Sequence, residues 1–269
     1  MKITKILSVV IMVAMVGAFS SCKKKGCMDR TSLNYSPEAE KDDNSCDYTS
    51  VSINSEKKAL VLKTTATWCP YCGDWGVAYS INVMDNYPDA VIMQLHKNDE
   101  FSTSPGDEIR EYLDYSGVPH FWVGTEDISV NSQSLLNSTI ESELAESVEI
   151  ALGLQTSISG SSMSVKVAAQ KTESVTGEFK LAVYVLEDGQ VAEQDIAGSP
   201  SDPNFVHNHV LRAEASDAGF GKAITFVGDV IEEDFTITLN SSWVSANCYP
   251  VAVLWRKNGS TYDFVNLAM

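Results

Sequence analysis

The segment Trp68-Cys69-Pro70-Tyr71-Cys72 constrains the fold most, because it lies between patterns typical of two different secondary structures. Apart from Lys63, residues 59–65 are apolar or β-branched, and they predict a buried strand. The apolar residues that follow the segment recur at helical spacing; they are Trp75, Ala78, Tyr79, Val83 and Met84. We therefore expect a strand, a tight turn and a helix, with Pro70 in the first helical turn and Cys72 one turn inside the helix.

The cysteine pair has a chemistry of its own. Two cysteines separated by two residues can close a small disulfide ring, and a cysteine at a helix start lies at the positive end of the macrodipole, which stabilises its thiolate. Cys69 is therefore the candidate nucleophile and Cys72 the resolving thiol. An inert structural disulfide and a zinc site are the alternatives, although structural zinc takes four ligands and the sequence has no second closely spaced cysteine pair.

A second signal lies 50 residues (119 − 69) after Cys69, where Gly117-Val118-Pro119-His120 precedes an apolar stretch at 121–123. Together with the cysteine motif, this Val-Pro at the start of a strand resembles the thioredoxin superfamily over roughly residues 55–150. The resemblance implies an α/β thioredoxin-like fold in which Pro119 is cis and lies beside the two cysteines. It also implies that Cys69, Cys72 and Pro119 form the catalytic centre of a thiol-disulfide oxidoreductase.

Four neighbours are expected to contact the substrate: Trp68, Tyr71, Val118 and His120. The resemblance implies that Val118 pairs through its main chain with an extended segment of the partner. Tyr71 and His120 are also expected to tune the thiolate. One position departs from the family, because thioredoxins carry a buried acid on the strand before the motif, whereas this chain has Lys63 there. Proton transfer to Cys72 would then need another group.

The first residues predict export. Lys2 and Lys5 precede an apolar run, and residues 1–21 together read as a secretory signal peptide that is too short to span a membrane. The end of this segment resembles a bacterial lipoprotein cleavage box, which implies that the mature chain begins at a lipidated Cys22. Each buried methylene contributes about 0.8 kcal/mol, so several acyl chains would anchor the protein stably. Cleavage without lipidation is the alternative.

The net charge of the chain limits the classes of partner that it can bind. The net charge is −17, and such a surface would repel phosphate backbones, so nucleic-acid binding is not expected. The dense basic cluster at residues 23–25 would lie against the membrane. Lipoproteins displayed on the cell surface can carry acids at this place, so the lysines favour a tether on the outer membrane that faces the periplasm. The expected partners are protein thiols and disulfides, with the membrane contacted through the lipid anchor.

The segment 26–46 resembles a short cysteine-bounded module of exported bacterial proteins. The resemblance implies a structural disulfide between Cys27 and Cys46, which would contribute roughly 3 kcal/mol to a module too small to bury a core. Four carboxylates could also gather a calcium ion, with a solvated acidic spacer as the alternative; they are Asp29, Asp42, Asp43 and Asp47. No other metal and no other cofactor is expected.

The remainder of the first domain is predicted as a strand at 90–96, a polar loop, a short helix at 105–115 and a closing helix at 133–152. His96 at the end of its strand is a candidate catalytic group, with a satisfied loop histidine as the alternative. After residue 152 the pattern changes to alternation, which predicts an all-β immunoglobulin-like sandwich. Its strands are expected near 163–167, 179–185, 235–239 and 249–255. Residues 187–208 are expected to cross the surface as a long loop.

The segment 205–212 resembles part of the twenty-eight-kilodalton outer-membrane-protein family of bacterial lipoproteins. His207 and His209 within it would share one strand face, which is not sufficient for a metal site. Cys248 is expected to be a buried thiol. The predicted domains are residues 1–21 (signal peptide), 22–50 (tether with acidic module), 51–152 (thioredoxin-like) and 153–269 (β-sandwich). The alternative to thiol-disulfide exchange is a non-catalytic adhesion or assembly lipoprotein that keeps the fold as a scaffold.

Overall fold

The structure is a computed structural model that describes residues 23–114, 117–128, 132–216 and 218–269. The predicted signal peptide and Cys22 lie outside these residues. The helices are α1 (Trp75–Asn86), α2 (Ser104–Tyr112) and α3 (Gln133–Leu144). The strands are β1 (Lys25–Gly26), β2 (Lys41–Asp42), β3 (Ala59–Thr65), β4 (Ala90–His96), β5 (His120–Val123), β6 (Glu126–Ile128), β7 (Ile150–Ser159), β8 (Ser162–Lys171), β9 (Glu178–Glu187), β10 (Gln190–Gln194), β11 (Asp202–His207), β12 (Val210–Glu214), β13 (Lys222–Ile224), β14 (Val230–Thr238), β15 (Cys248–Asn258) and β16 (Thr261–Ala268). Within the described part of the chain, no helix is long and apolar enough to span a bilayer.

One nine-stranded sheet joins the two halves of the chain. Its order is β16-β15-β9-β12-β4-β3-β5-β6, with β13 paired to β9. Strands β3 and β4 run parallel in full register, β5 pairs antiparallel with β3, and β6 pairs antiparallel with β5. The junction is the parallel pairing of β12 with β4 at Val210 and Gln94. Strands from beyond residue 152 therefore extend the sheet that carries the cysteine motif.

Both faces of the central strands are covered, which explains why β3 is buried at every position. On one face, α1 and α3 pack their buried side chains Val83, Leu136 and Ile140 against Val61 and Ile92. On the other face, a second cluster brings α2 together with side chains from the carboxy-terminal half. Its members include Leu60, Leu62, Ile109, Trp122, Tyr184 and Trp255.

The carboxy-terminal half is a two-layer β structure. A three-stranded antiparallel sheet of order β14-β8-β7 packs on β9, β15 and their neighbours through one large apolar cluster. Cys248 is 7% exposed and belongs to this cluster, so the prediction of a buried thiol is confirmed. The alternation of side chains predicted these two layers. It did not predict that one layer continues into the sheet of the first half, because that continuation depends on a pairing between strands far apart in the chain.

Two local predictions differ from the structure. Helix α3 ends at Leu144 and β7 begins at Ile150, so the predicted helix to residue 152 was too long. Leu152 continues the apolar spacing of the helix, but it is buried in the β core instead. Residues 187–208 contain the antiparallel hairpin β10–β11 rather than an irregular loop.

The acidic module is closed by a disulfide between Cys27 and Cys46. Arg30 connects the module to the β half, because its side chain lies 2.8 Å from the Asp229 carboxylate and its carbonyl accepts the Asp229 N–H. Within the described residues no group of three or more histidine, cysteine or acidic side chains is arranged to hold a metal. Asp42 and Asp43 instead accept backbone N–H groups two residues later, as turn-forming aspartates do.

Candidate functional site

The cysteine motif forms a turn after β3. The Cys69 N–H donates to the Ala66 carbonyl, and the Cys72 N–H donates to the Cys69 carbonyl. Helix α1 begins only at Trp75, after a residue in a non-helical conformation, so the prediction of Cys72 one turn inside the helix was wrong. Individual backbone N–H groups of the turn therefore face the sulfur of Cys69. They supply the stabilisation of the thiolate that was expected from the helix dipole.

The two thiols are free and lie close together. The Cys72 N–H donates to the Cys69 sulfur at 3.2 Å, and this sulfur lies 3.4 Å from the Val118 carbonyl oxygen. The Val118–Pro119 peptide bond is cis, as the thioredoxin resemblance implied. Cys69 is 3% exposed and Cys72 is 1% exposed, so both residues are almost covered.

The surroundings separate the acidities of the two thiols. The hydrogen bond from the Cys72 thiol lowers the pKa of Cys69 to about 7, with further stabilisation of the thiolate by the backbone N–H groups of Cys72 and Tyr71 and by the charge of Lys63. Burial raises the pKa of Cys72 far above its ordinary value, and the Cys69 sulfur raises it further. Near neutral pH one sulfur is therefore poised as a nucleophile while the other keeps its proton.

Lys63 of β3 lines the same cavity as Cys72. It is 2% exposed and stands in register with Gln94 on β4 and Phe121 on β5. Burial lowers the pKa of Lys63 to about 8, against the opposing influence of the two cysteine sulfurs, which raise it. A buried amine with this pKa can hold or release a proton near neutral pH.

The four predicted substrate contacts divide into two groups. Trp68 and Tyr71 are 48% and 59% exposed beside the thiols, and Val118 packs against the cysteine pair. The Trp68 indole N–H donates to the Lys97 carbonyl, which fixes this ring. His120 is buried, and it pairs with Asp127 and packs on Trp122. Its proposed contact with a partner protein would need these neighbours to move.

His96 occupies a structural position next to the motif. Its Nδ1 lies 2.7 Å from the Asp99 carboxylate, which also accepts the Thr67 N–H two residues before Cys69. The prediction that His207 and His209 share one strand face was wrong. His209 lies between β11 and β12 with a φ of 55°, which breaks the alternation, and its Nδ1 lies 2.6 Å from the Tyr249 hydroxyl.

The hairpin β10–β11 supplies contacts that the sequence did not reveal. The Gln194 side-chain amide is buried and donates to the carbonyls of Ala66 and Cys69 at 3.3 and 3.0 Å. Backbone bonds add to it, since the Asp195 N–H reaches the Thr67 carbonyl and the Ala197 N–H reaches Pro70. The carboxy-terminal half thus holds the cysteine turn directly. A lone glutamine in a polar stretch carries no local signal of this role.

The family model of outer membrane protein Omp28 matches residues 107–266 of this chain. The chain belongs to the Omp28 outer membrane protein family. This membership confirms the predicted family resemblance and assigns the protein to the outer membrane of the cell envelope. The match includes Pro119 and the β half up to residue 266 but begins after Cys69 and Cys72, so Omp28 membership by itself says nothing about the thiol pair.

Two solved structures resemble this Omp28 family member. HBP35 of Porphyromonas gingivalis has a TM-score of 0.68 at 16% identity, and the match covers 80% of this chain and 75% of that chain. This similarity shows a shared fold and does not extend to activity. A domain of the outer membrane lipoprotein Omp28 from Porphyromonas gingivalis matches at 17% identity over 45% of this chain and 85% of that chain, with a TM-score of 0.33. No curated protein matches the chain.

Proposed function

We propose that this protein is a membrane-tethered thiol-disulfide oxidoreductase that acts on protein partners. In this proposal Cys22 carries the lipid anchor in the outer membrane, and the folded part faces the periplasm. Residues 51–152 form a thioredoxin-like domain and residues 153–269 an immunoglobulin-like sandwich that buttresses it. The parallel pair β3–β4, the antiparallel pair β5–β6, the flanking helices α1 and α3, and the cis-proline beside the cysteine turn support this assignment.

The observation that carries the proposal is the asymmetry of the two thiols. The pKa of Cys69 is lowered to about 7, while burial keeps Cys72 protonated. The Cys69 thiolate attacks one sulfur of a partner disulfide, forms a mixed disulfide and releases the other partner sulfur as a thiolate. Cys72 then loses its proton and attacks the Cys69 sulfur. This second step closes the Cys69–Cys72 disulfide and releases the reduced partner; the reverse sequence oxidises a partner dithiol.

Lys63 is our candidate for the group that accepts the Cys72 proton. Its amine and Cys72 line the same cavity, and its pKa of about 8 leaves part of the population neutral near neutral pH. The expelled proton would then produce a buried ammonium beside the new disulfide. This assignment supplies the proton acceptor that the missing family acid would otherwise provide.

Trapping of the mixed disulfide tests the function. With the resolving thiol removed, a Cys72→Ala variant incubated with a peptide that contains one disulfide should accumulate a covalent complex through Cys69. The complex should disappear on reduction, and it should be absent from the Cys69→Ala variant. Cys248→Ala is the matched control, because this thiol is buried in the distant β core and its loss should leave trapping by the Cys72→Ala background unchanged. Absence of the complex would reject the proposal.

A non-catalytic scaffold is the second candidate, and the burial of both sulfurs favours it. The exposed fractions of 3% and 1% leave little surface for a partner sulfur, and the docked hairpin β10–β11 covers the turn further. In this case the thiols would stabilise the fold, and the exposed Trp68 and Tyr71 would serve binding. Equal rates of alkylation for Cys69 and Cys248 would favour the scaffold.

A further inference from the structure

A cavity of about 320 Å³ lies between α1, the central strands and the hairpin β10–β11. Its size falls within the lower range of small-molecule sites. Its lining includes the polar side chains of Lys63, Gln94 and His207. It also includes the apolar side chains of Ile81 and Met84 of α1.

Two buried polar groups line this cavity. Lys63 forms no ion pair with a carboxylate within the described residues, and its amine lies 6.0 Å from the centre of the Phe121 ring. The Nε2 atom of His207 is buried without a hydrogen-bond partner, and this residue is 3% exposed. A buried cation is ordinarily paired with an anion, so a bound carboxylate would complement the Lys63 ammonium.

Several large apolar side chains of the lining are exposed to solvent and form the mouth of the cavity. Ile81 is 48% exposed, Met84 is 42% exposed, and Val206 of the hairpin is 49% exposed. These three line one cavity on a chain whose net charge is −17. An apolar mouth above a buried cation complements a molecule with an apolar body and one negative head.

We propose that this cavity binds a small amphipathic monocarboxylate, with its carboxylate on Lys63 and its apolar chain along Ile81 and Met84. The cavity shares Lys63 and Cys72 with the proposed thiol centre, but it takes a small molecule rather than a partner protein. The carboxylate accepts a charge-assisted hydrogen bond from the Lys63 ammonium.

Calorimetric titration with octanoate, octan-1-ol and octylamine at pH 7 tests this site. Octanoate should bind at least tenfold more tightly than the alcohol, and the amine should not bind. The Lys63→Met variant keeps the shape of the side chain and removes the charge, so it should bind octanoate about 10- to 100-fold more weakly and octan-1-ol within about twofold of the wild type. Lys41→Met, at an exposed position, is the control and should change neither affinity.

A second pair of variants locates the ligand. Ile81→Asp places a charge at the cavity mouth and should abolish octanoate binding, whereas Leu135→Asp alters a similarly exposed apolar residue on α3 and should not. Equal affinity for octanoate and octan-1-ol, unchanged binding by Lys63→Met, or equal effects of the two aspartates would each overturn the proposal. A Cys69→Ala, Cys72→Ala double variant should still bind octanoate, so a failure of thiol exchange and a failure of this site are distinguishable.

Discussion

The buried charge of Lys63 makes a quantitative prediction about stability and pH. The pKa of Lys63 falls from 10.5 in an exposed chain to about 8 in the folded protein. Because the folded-state pKa is depressed, the unfolded chain binds more protons between pH 8 and 10.5, and stability rises with pH in that window. A difference of about 2.5 pKa units corresponds to about 3 kcal/mol, which the folded protein loses in full below pH 8.

Lys63→Met removes this penalty and keeps the volume of the side chain. We therefore expect the reduced variant to be about 3 kcal/mol more stable than the reduced wild type at pH 7, with the gap narrowing as the pH rises towards 10. Urea unfolding followed by tryptophan fluorescence at pH 7, 8, 9 and 10 would measure both curves. Lys41→Met, at an exposed site, should show the same pH dependence of the free energy of unfolding as the wild type.

A constant difference between Lys63→Met and wild type across this pH range would refute the reasoning, because a lysine that titrates as in water carries no burial penalty. A less stable variant at pH 7 would refute it as well. That result would mean that the ammonium is held by interactions stronger than its desolvation.

Two further outcomes test how the site is held. Gln194→Ala should lower the free energy of unfolding by about 1–3 kcal/mol, because the carbonyls of Ala66 and Cys69 each lose the hydrogen bond from the Gln194 side-chain amide. Glu193→Ala on the exposed face of the same strand should have little effect; thermal unfolding measures both. Gly221→Ala should lower the free energy of unfolding more than Gly160→Ala. Both glycines have φ above 60°, so alanine at either position adds a backbone strain of roughly 1–2 kcal/mol. Only at Gly221 would the new Cβ also meet a backbone oxygen of β9, at 2.2 Å. Equal effects within either pair would contradict the packing described.

The parts of the fold that local pattern controls were predictable. Strands β3 and β4 begin and end at the predicted residues, because each opens with four consecutive apolar residues, at 59–62 and 90–93, that follow a polar one. The cis Val118–Pro119 bond and its position beside Cys69 followed from the family resemblance. Chemistry-bearing motifs of this kind are short and can be read directly from the residues.

The remaining features depend on contacts between residues far apart in the chain. Gln194 reaches Cys69 across 125 positions, and β12 joins β4 through a single register pair, so neither leaves a local pattern. The late start of α1 at Trp75 has a similar origin. A Cβ at Gly73 would lie 2.4 Å from the Asp195 carbonyl oxygen, so the hairpin packs closely against the turn before the helix.

The pH dependence of Cys69 alkylation tests the central claim most directly. Mass spectrometry of the reduced protein after brief exposure to iodoacetamide would give the rate at each cysteine from pH 5 to 10. Our account predicts that Cys69 reacts first, with a midpoint at about pH 7, while Cys72 and Cys248 stay largely unmodified. A midpoint at the ordinary thiol value near 8.5, or a Cys69 rate no greater than that of Cys248, would contradict it.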